Sequence, residues 1–486
     1  MPLMSRYLDD LERKLQELGI PGRFYIMLSA GGVATPETAK RVPIRLVESG
    51  PAAGALAAAR MARELGEPRL LSFDMGGTTA KACVIDGGLP LLAREFEVAR
   101  SDRFKKGSGL PIRVPCIELI EIGTGGGSLA RVDRMGLLKV GPESAGADPG
   151  PASYAQGGQV PTVTDADLLL GYLDPNFFLG GRMRLDADAA SRAAEDKIAK
   201  PMGLSLTEAA WGIHRVVNEN MAAAARVHGI ERGKDLRAYP LFAFGGAGPV
   251  HAWHEGRILK VPRVLVPFGA GAMSAYGLLA APLAFDFVRT APQRLDAADW
   301  TQINGLFGEM ETEGRRILRG ADVPDADVRI RRTAEMHYTG QGDEVEVEVP
   351  PGALDDASLA VITASFEAAY RALYSRTPMG VLIEALNWRV VVSGPVPDIS
   401  VSGPQPGARA PSAAAPAPKA ARKAYFPEAR GYVETPVYDR YALTRGAVFA
   451  GPAIIEERES TTVAGPDARV TVDARLTLIM EWGDPQ

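Results

Sequence analysis

The sequence predicts an α/β fold with a C-terminal α+β and β-rich region, and three observations carry that expectation. Between residues 24 and 280, short apolar strands alternate with helical stripes, the pattern of a sheet covered by helices. Glycine accounts for 53 of the 486 residues, about 11% against an average near 7%, and it clusters at strand ends. After about residue 290 the texture changes to alternating strands, a Pro/Ala-rich stretch and a run of short β segments.

Leu8, Leu11, Leu15 and Leu18 recur at helical spacing, so residues 4–18 read as an amphipathic helix that Gly19 and Pro21 end. FYIML (24–28) is a short buried strand. Pro51 suits a first helical turn and opens the small-residue helix AAGALAAARMARELG. RLLSF (69–73) and TTAKACVI (78–85) are strands joined by a tight glycine turn. Ser205 and Glu208 form a capping box for the longest helix, with Ile213, Val217 and Met221 on its apolar stripe and Gly229 at its end. LFAF (241–244) is a buried strand, and Pro249 opens the next helix.

Further on, EVEVEVP (344–350) alternates strictly and predicts a strand with one solvent face. A helix follows over 357–376, then the strand ALNWRVVV. Four regions result: an α/β domain over 1–290, an α+β domain over 291–399, a linker over 400–424 and a small β-rich module over 425–486.

Composition excludes several classes. A net charge of −5 without a basic block lacks the electrostatic footprint of a nucleic-acid binder. Cys83 and Cys116 give neither a disulfide framework nor a zinc spacing, which suits the cytoplasm. Residues 264–285 carry no formal charge, but Pro267, Gly269, Gly271, Gly277 and Pro282 interrupt them, so no membrane span is expected. Lys105 and Lys106 read as a solvated pair.

The glycine clusters point to chemistry. In FDMGGTTAK a strand ends at Asp74 and the chain turns into a second strand, unlike a Walker loop, where glycines open a helix. The amides of Gly76, Gly77 and Thr78 can form an anion nest, the Thr78 and Thr79 hydroxyls can add donors, and Asp74 can hold Mg²⁺ through water. A tight hairpin with Asp74 as turn former explains the spacing equally well. In FAFGGAGPVHAW, the glycines Gly245, Gly246 and Gly248 leave room for a flat group at a helix start. Gly125, Gly126 and Gly127 are a second candidate nest, and Glu121 beside them is a candidate general base provided that burial raises its pKa.

In order, Asp-x-Gly-Gly-Thr-Thr, a long helix and Gly-Gly-x-Gly-Pro resemble the second phosphate loop and adenosine loop of the actin, sugar-kinase and heat-shock ATPase fold. With ESGPAAG (48–54), EIGTGGGSLARVD (121–133), SAGADPGPASY (144–154), PTVTDADLLLGYL (161–173), HYTGQG (337–342) and GPAIIEERESTT (451–462), the chain resembles the hydantoinase A / 5-oxoprolinase family over nearly its whole length. The resemblance implies an actin-like (ribonuclease H-like) core and an A subunit that uses ATP, with Mg²⁺ or another divalent metal, to phosphorylate the carbonyl of a hydantoin- or 5-oxoproline-type lactam for hydrolysis. It equally allows a subunit of an acetone- or acetophenone-type carboxylase acting on a ketone.

A hydantoinase B-type partner subunit is implied as well. Family members begin with a further domain carrying the first phosphate loop, and nothing before Ser49 resembles that loop. A separate chain supplying it is one expectation; a truncated, non-catalytic nucleotide-binding or structural subunit is another. Ser153 stands where relatives often carry Cys. The candidate catalytic residues are Asp74, Glu121, Asp165 and His251, with Asp74 and His251 as metal ligands; Asp165 also reads as the cap of the helix it begins, and Glu121 equally as a satisfied strand-end charge. Glu219, on the long helix that flanks the ribose in the resembled fold, joins the glycines as a nucleotide contact.

Overall fold

A computed structural model describes residues 2–98, 107–378, 380–397 and 415–483. Lys105 and Lys106, and the linker residues 400–414, lie outside the described residues. The chain divides into two compact units: Met1–Val47 with Ala281–Asp398, and Glu48–Ala280 with Ile399–Gln486. The first 47 residues therefore group with the α+β region, whereas the sequence expectation ran one domain through 1–290.

The first unit is a four-stranded antiparallel sheet in the order Ala284–Arg294, Ile383–Ser393, Arg329–Tyr338, Val345–Glu348. Helices Trp300–Gly320 and Ser358–Tyr374 bury Ile303, Phe307, Ile362 and Phe366 in its core. Val345 and Val347 point inward while Glu346 and Glu348 point outward, as the alternation predicts. Inside this unit Arg389 bonds Asp286 at 2.7 Å and Glu335 at 2.8 Å, a buried charge cluster.

The second unit is built on a nine-stranded mixed sheet. Its elements along the chain are α1 (Ser49–Leu65), β1 (Arg69–Met75), β2 (Ala80–Asp86), β3 (Ile120–Ile122), α2 (Val163–Leu169), α3 (Leu206–Glu231), β4 (Leu241–Phe244), α4 (Gly248–Leu259), β5 (Val264–Val266), β6 (Val448–Ala450), β7 (Arg469–Val472) and β8 (Leu478–Glu481). The strand order is β3-β2-β1-β4-β5-β8-β7-β6, with Leu89–Pro90 attached to β2. β1, β2 and β3 pair antiparallel, and β4 and β5 continue parallel to β1. The capping box of Ser205 and Glu208 starts α3 as its spacing predicts.

Two corrections follow from the C-terminal segment. The strand Ala420–Phe426 begins inside the expected 400–424 linker, because Gly431–Asp439 supplies it with a ladder partner. Residues 425–486 are β-rich but do not stand apart: β6, β7 and β8 extend the main sheet, and Phe426, Ile454, Val470 and Met480 share one apolar core with Phe73 and Phe242. The uncharged stretch 264–285 breaks into β5 and the short helix Met273–Ala280, and among the described residues no helix is long and apolar enough to cross a membrane.

Candidate functional site

Strand register brings three glycine loops to one end of the sheet. β4 runs parallel to β1 with Phe244 opposite Asp74, so the chain leaving each strand turns at the same edge. β3 returns antiparallel with Ile122 opposite Ala80, which carries residues 123–128 to that edge too. Open α/β sheets bind ligands beyond the carboxyl ends of such strands.

The 75–79 turn is the centre. The Gly76 amide closes it by donating to the Thr79 carbonyl at 3.1 Å, so Gly76 is not a free donor of the expected nest. Gly77 and Thr78 are exposed at the tip, and their amides have no partner among the described residues. A Cβ added at Gly76 or Gly77 would meet nothing within 4 Å. Thr79 Oγ1 accepts from Lys81 Nζ at 2.6 Å.

Gly125, Gly126 and Gly127 lie beneath that turn, which corrects their assignment to a second nest. The Gly126 amide donates to the Gly76 carbonyl at 3.0 Å and the Gly127 amide to the Gly77 carbonyl at 2.6 Å, while Gly125 N–H goes to Ser128 Oγ at 2.8 Å. All three amides are spent. A Cβ at Gly125 would strike the Gly77 and Thr78 backbone at 2.7 Å, so glycine is required there by close loop packing.

The 245–248 loop locks onto the same strand end: Ala247 N–H donates to the Met75 carbonyl at 2.9 Å and Gly245 N–H to the Ala270 carbonyl at 2.9 Å. Gly245 has φ +85°, with Asp74 Oδ1 and the Met75 carbonyl so close that a Cβ would collide. Gly246 is exposed, Gly248 is buried, and no side chain caps α4. Glu457, within GPAIIEERESTT, accepts from Gly269 N–H at 2.7 Å and ties the neighbouring loop down.

Asp74 is half-buried at the centre, where its Oδ2 accepts from Ser274 Oγ at 3.2 Å. Burial raises its pKa, against the opposing pull of Ser274 and Lys81. Register places Asp74, Lys81 and Glu121 side by side across β1, β2 and β3. Lys81 Nζ pairs with Glu121 at 3.1 Å, and the Glu121 side chain is 49% exposed. The burial that a general-base role required is absent there. Lys81 was not singled out, although it closes the DMGGTTAK motif and alternates onto the same face as Asp74.

Asp165 sits elsewhere and does structural work. It is fully buried, caps α2 together with Thr162, and accepts from the amides of Ala152 (3.1 Å), Ser153 (2.7 Å) and Thr162 (2.8 Å) and from Thr162 Oγ1 (2.9 Å). Three of those bonds fall on Oδ2 and one on Oδ1, so the carboxylate is spent mainly on holding the 152–153 turn and the start of α2. Glu219 stands exposed on α3.

His251 belongs to a second, buried cluster that does not include Asp74. Its Nε2 lies 3.3 Å from Asp167 Oδ2, and its Nδ1 pairs with Asn218 Oδ1 at 2.9 Å. Asp167 Oδ1 also meets His214 Nδ1 at 2.7 Å, and His214 Nε2 lies 3.2 Å from His254 Nδ1. The rings of His214 and His251 stack with centroids 4.5 Å apart. The expected joint metal role of Asp74 and His251 thus splits between two places. The signal for the second was in the sequence: His214 and Asn218 are four apart on one helix face.

Comparison with known proteins places the chain in a family. An uncharacterised protein of Methanocaldococcus jannaschii is 38% identical over 475 residues, covering 97% of this chain and 67% of that protein. Caprolactamase subunit alpha of Pseudomonas jessenii is 33% identical over 98% of this chain and 67% of its own length. Acetophenone carboxylase gamma subunit of Aromatoleum aromaticum is 33% identical over 97% of this chain and 64% of its own. The crystal structure of the ATP-dependent caprolactamase matches with a TM-score of 0.78 at 32% identity, over 99% of this chain and 68% of that one. The chain spans about two thirds of the length of these relatives. Residues 1–287 match the family described as Hydantoinase/oxoprolinase, and residues 290–481 its C-terminal domain. On that match across both halves, and on relatives more than 30% identical, the chain belongs to the hydantoinase/oxoprolinase family.

Proposed function

We propose that the chain is the ATP-binding A subunit of an ATP-dependent cyclic amide hydrolase with an actin-like core, acting together with a B-type subunit and with a domain or chain that supplies the first phosphate loop. The observation that carries the reading is the convergence of the 74–79 and 245–248 loops around Asp74, with the bare amides of Gly77 and Thr78 facing outward. Space above Gly76 and Gly77 fits a phosphate group, and the half-buried Asp74 fits Mg²⁺ held directly or through water.

Bound Mg-ATP would supply the γ-phosphoryl group that activates the substrate's carbonyl oxygen. The chain's own part is positional. Gly77 and Thr78 amides orient the phosphates, Asp74 holds the metal's side of the site with Ser274 steering its carboxylate, and Gly246 leaves the adenosine face open. Lys81 keeps Thr79 and Glu121 in place rather than meeting the nucleotide through a free ammonium.

A second reading has its own support: the acetophenone carboxylase subunit is as similar, at 33% identity, as the caprolactamase subunit. Mg-ADP calorimetry on the chain tests the shared claim, with binding in the micromolar range expected. ATP hydrolysis by the reconstituted complex then separates the two, since a lactam stimulates a hydrolase, whereas ketone with bicarbonate stimulates a carboxylase. Absence of nucleotide binding by a folded chain and by its complex sinks both.

A further inference from the structure

The buried cluster on α2, α3 and α4 has an atom that the protein leaves unserved. Asn218 turns its Oδ1 to His251 Nδ1 at 2.9 Å, the arrangement in which Nδ1 carries the proton and a neutral ring keeps its lone pair on Nε2. That nitrogen is fully buried, finds no hydrogen-bond partner among the described residues, and lies 3.3 Å off-line from Asp167 Oδ2. Two acceptors facing each other in a dry interior need a positive body between them. His214 Nδ1 approaches the other oxygen of the same carboxylate at 2.7 Å, and the three ligand atoms of Asp167, His214 and His251 all lie within 4.8 Å of one another.

We propose that Asp167, His214 and His251 hold a divalent transition-metal ion of the zinc class. Two imidazoles and a carboxylate are the donor set such ions favour, and tetrahedral zinc asks its ligand atoms to stand about 3.3 Å apart, so an ion would open the 2.7 Å contact of His214 with Asp167, keep the 3.3 Å one of His251 and draw the group in from its 4.8 Å bound. The outer groups are those a metal centre needs. Asn218 fixes the His251 tautomer, His254 meets the far nitrogen of His214, and Trp211 stacks on the His214 ring at 5.4 Å between centroids. The site's place in the fold gives it a structural role. α2 carries Thr164, whose amide donates to the Gly126 carbonyl at 2.7 Å, and α4 begins at Gly248. An ion joining α2, α3 and α4 would pin two of the glycine loops from behind.

The proposal does not depend on the nucleotide reading, and its test reads metal directly. Full-length chain grown with zinc and dialysed against chelator-treated buffer should carry about one equivalent of zinc by mass spectrometry. Growth with cobalt should give the visible ligand-field bands of a four- or five-coordinate ion. Asn218→Ala should weaken zinc affinity about 10–100-fold in chelator competition while the ligands stay in place, and Asp167→Asn should lose the metal. Wild-type protein that is folded and lacks stoichiometric metal from both media would overturn the proposal, and nitrogen NMR showing His251 as an imidazolium would identify a proton as what fills the gap.

Discussion

A Cβ added at Gly77 meets nothing within 4 Å, whereas one at Gly125 strikes backbone at 2.7 Å. The same residue type thus serves opposite ends at two positions a few ångströms apart. Gly77→Val should leave the thermal unfolding midpoint nearly unchanged and abolish Mg-ADP binding by calorimetry; normal affinity would remove the phosphate assignment. Gly125→Val should instead destabilise the fold. Asp165 offers the matching contrast on the catalytic side. Asp165→Asn turns an amide group toward the N–H donors of Ala152, Ser153 and Thr162, and should cost about 3 kcal/mol in urea unfolding. A variant with native stability and lost turnover would restore a chemical role for Asp165. Sequence could name Gly77 and Gly125 but not their partners, because whether a ligand or a second loop covers a glycine is a tertiary fact, whereas the capping role of Asp165 was legible at the start of its helix.

Elements were legible where local signals act alone. The capping box of α3, the proline at the start of α4 and the alternation of Val345–Glu348 each depend on residues within one turn or one strand, and each stands where the spacing put it. What escaped was register. Parallel pairing of β4 with β1 brings the loops together, and ladder pairing with Gly431–Asp439 makes a strand of Ala420–Phe426 that composition alone read as linker. α3 also carries a titratable liability. Burial lowers the pKa of His228 from 6.5 to about 4. The unfolded chain takes up this proton near pH 6.5 and the folded chain only near 4, so the associated stability is complete above 6.5 and lost as pH falls toward 4. The full effect is on the order of 3 kcal/mol. His228→Leu should flatten that part of the pH dependence of urea unfolding; an unchanged slope would place the acid sensitivity elsewhere.

At the scale of the molecule, the second unit draws its sheet from both ends of its sequence. β5 pairs on one side with β4 and on the other with β8, more than two hundred residues later. A chain ended before Val448 would lose β6, β7 and β8 together and bare the edge of β5. Such a truncation should lose soluble, monodisperse protein on size exclusion, since an unpaired apolar edge invites pairing with other chains. A well-behaved truncated protein would mean that the terminal strands are an accessory.

The position of β8 also sets a timetable for biosynthesis. Translation delivers Val264–Val266 early and Leu478–Glu481 late, so the emerging polypeptide holds an unfinished seam through the synthesis of everything between them. A nascent chain stalled in that interval presents Val264, Leu265 and Val266 uncovered, which marks it as incomplete to any holdase that reads apolar strands. The glycine loops at that edge therefore gain their final support only after the late strand has docked.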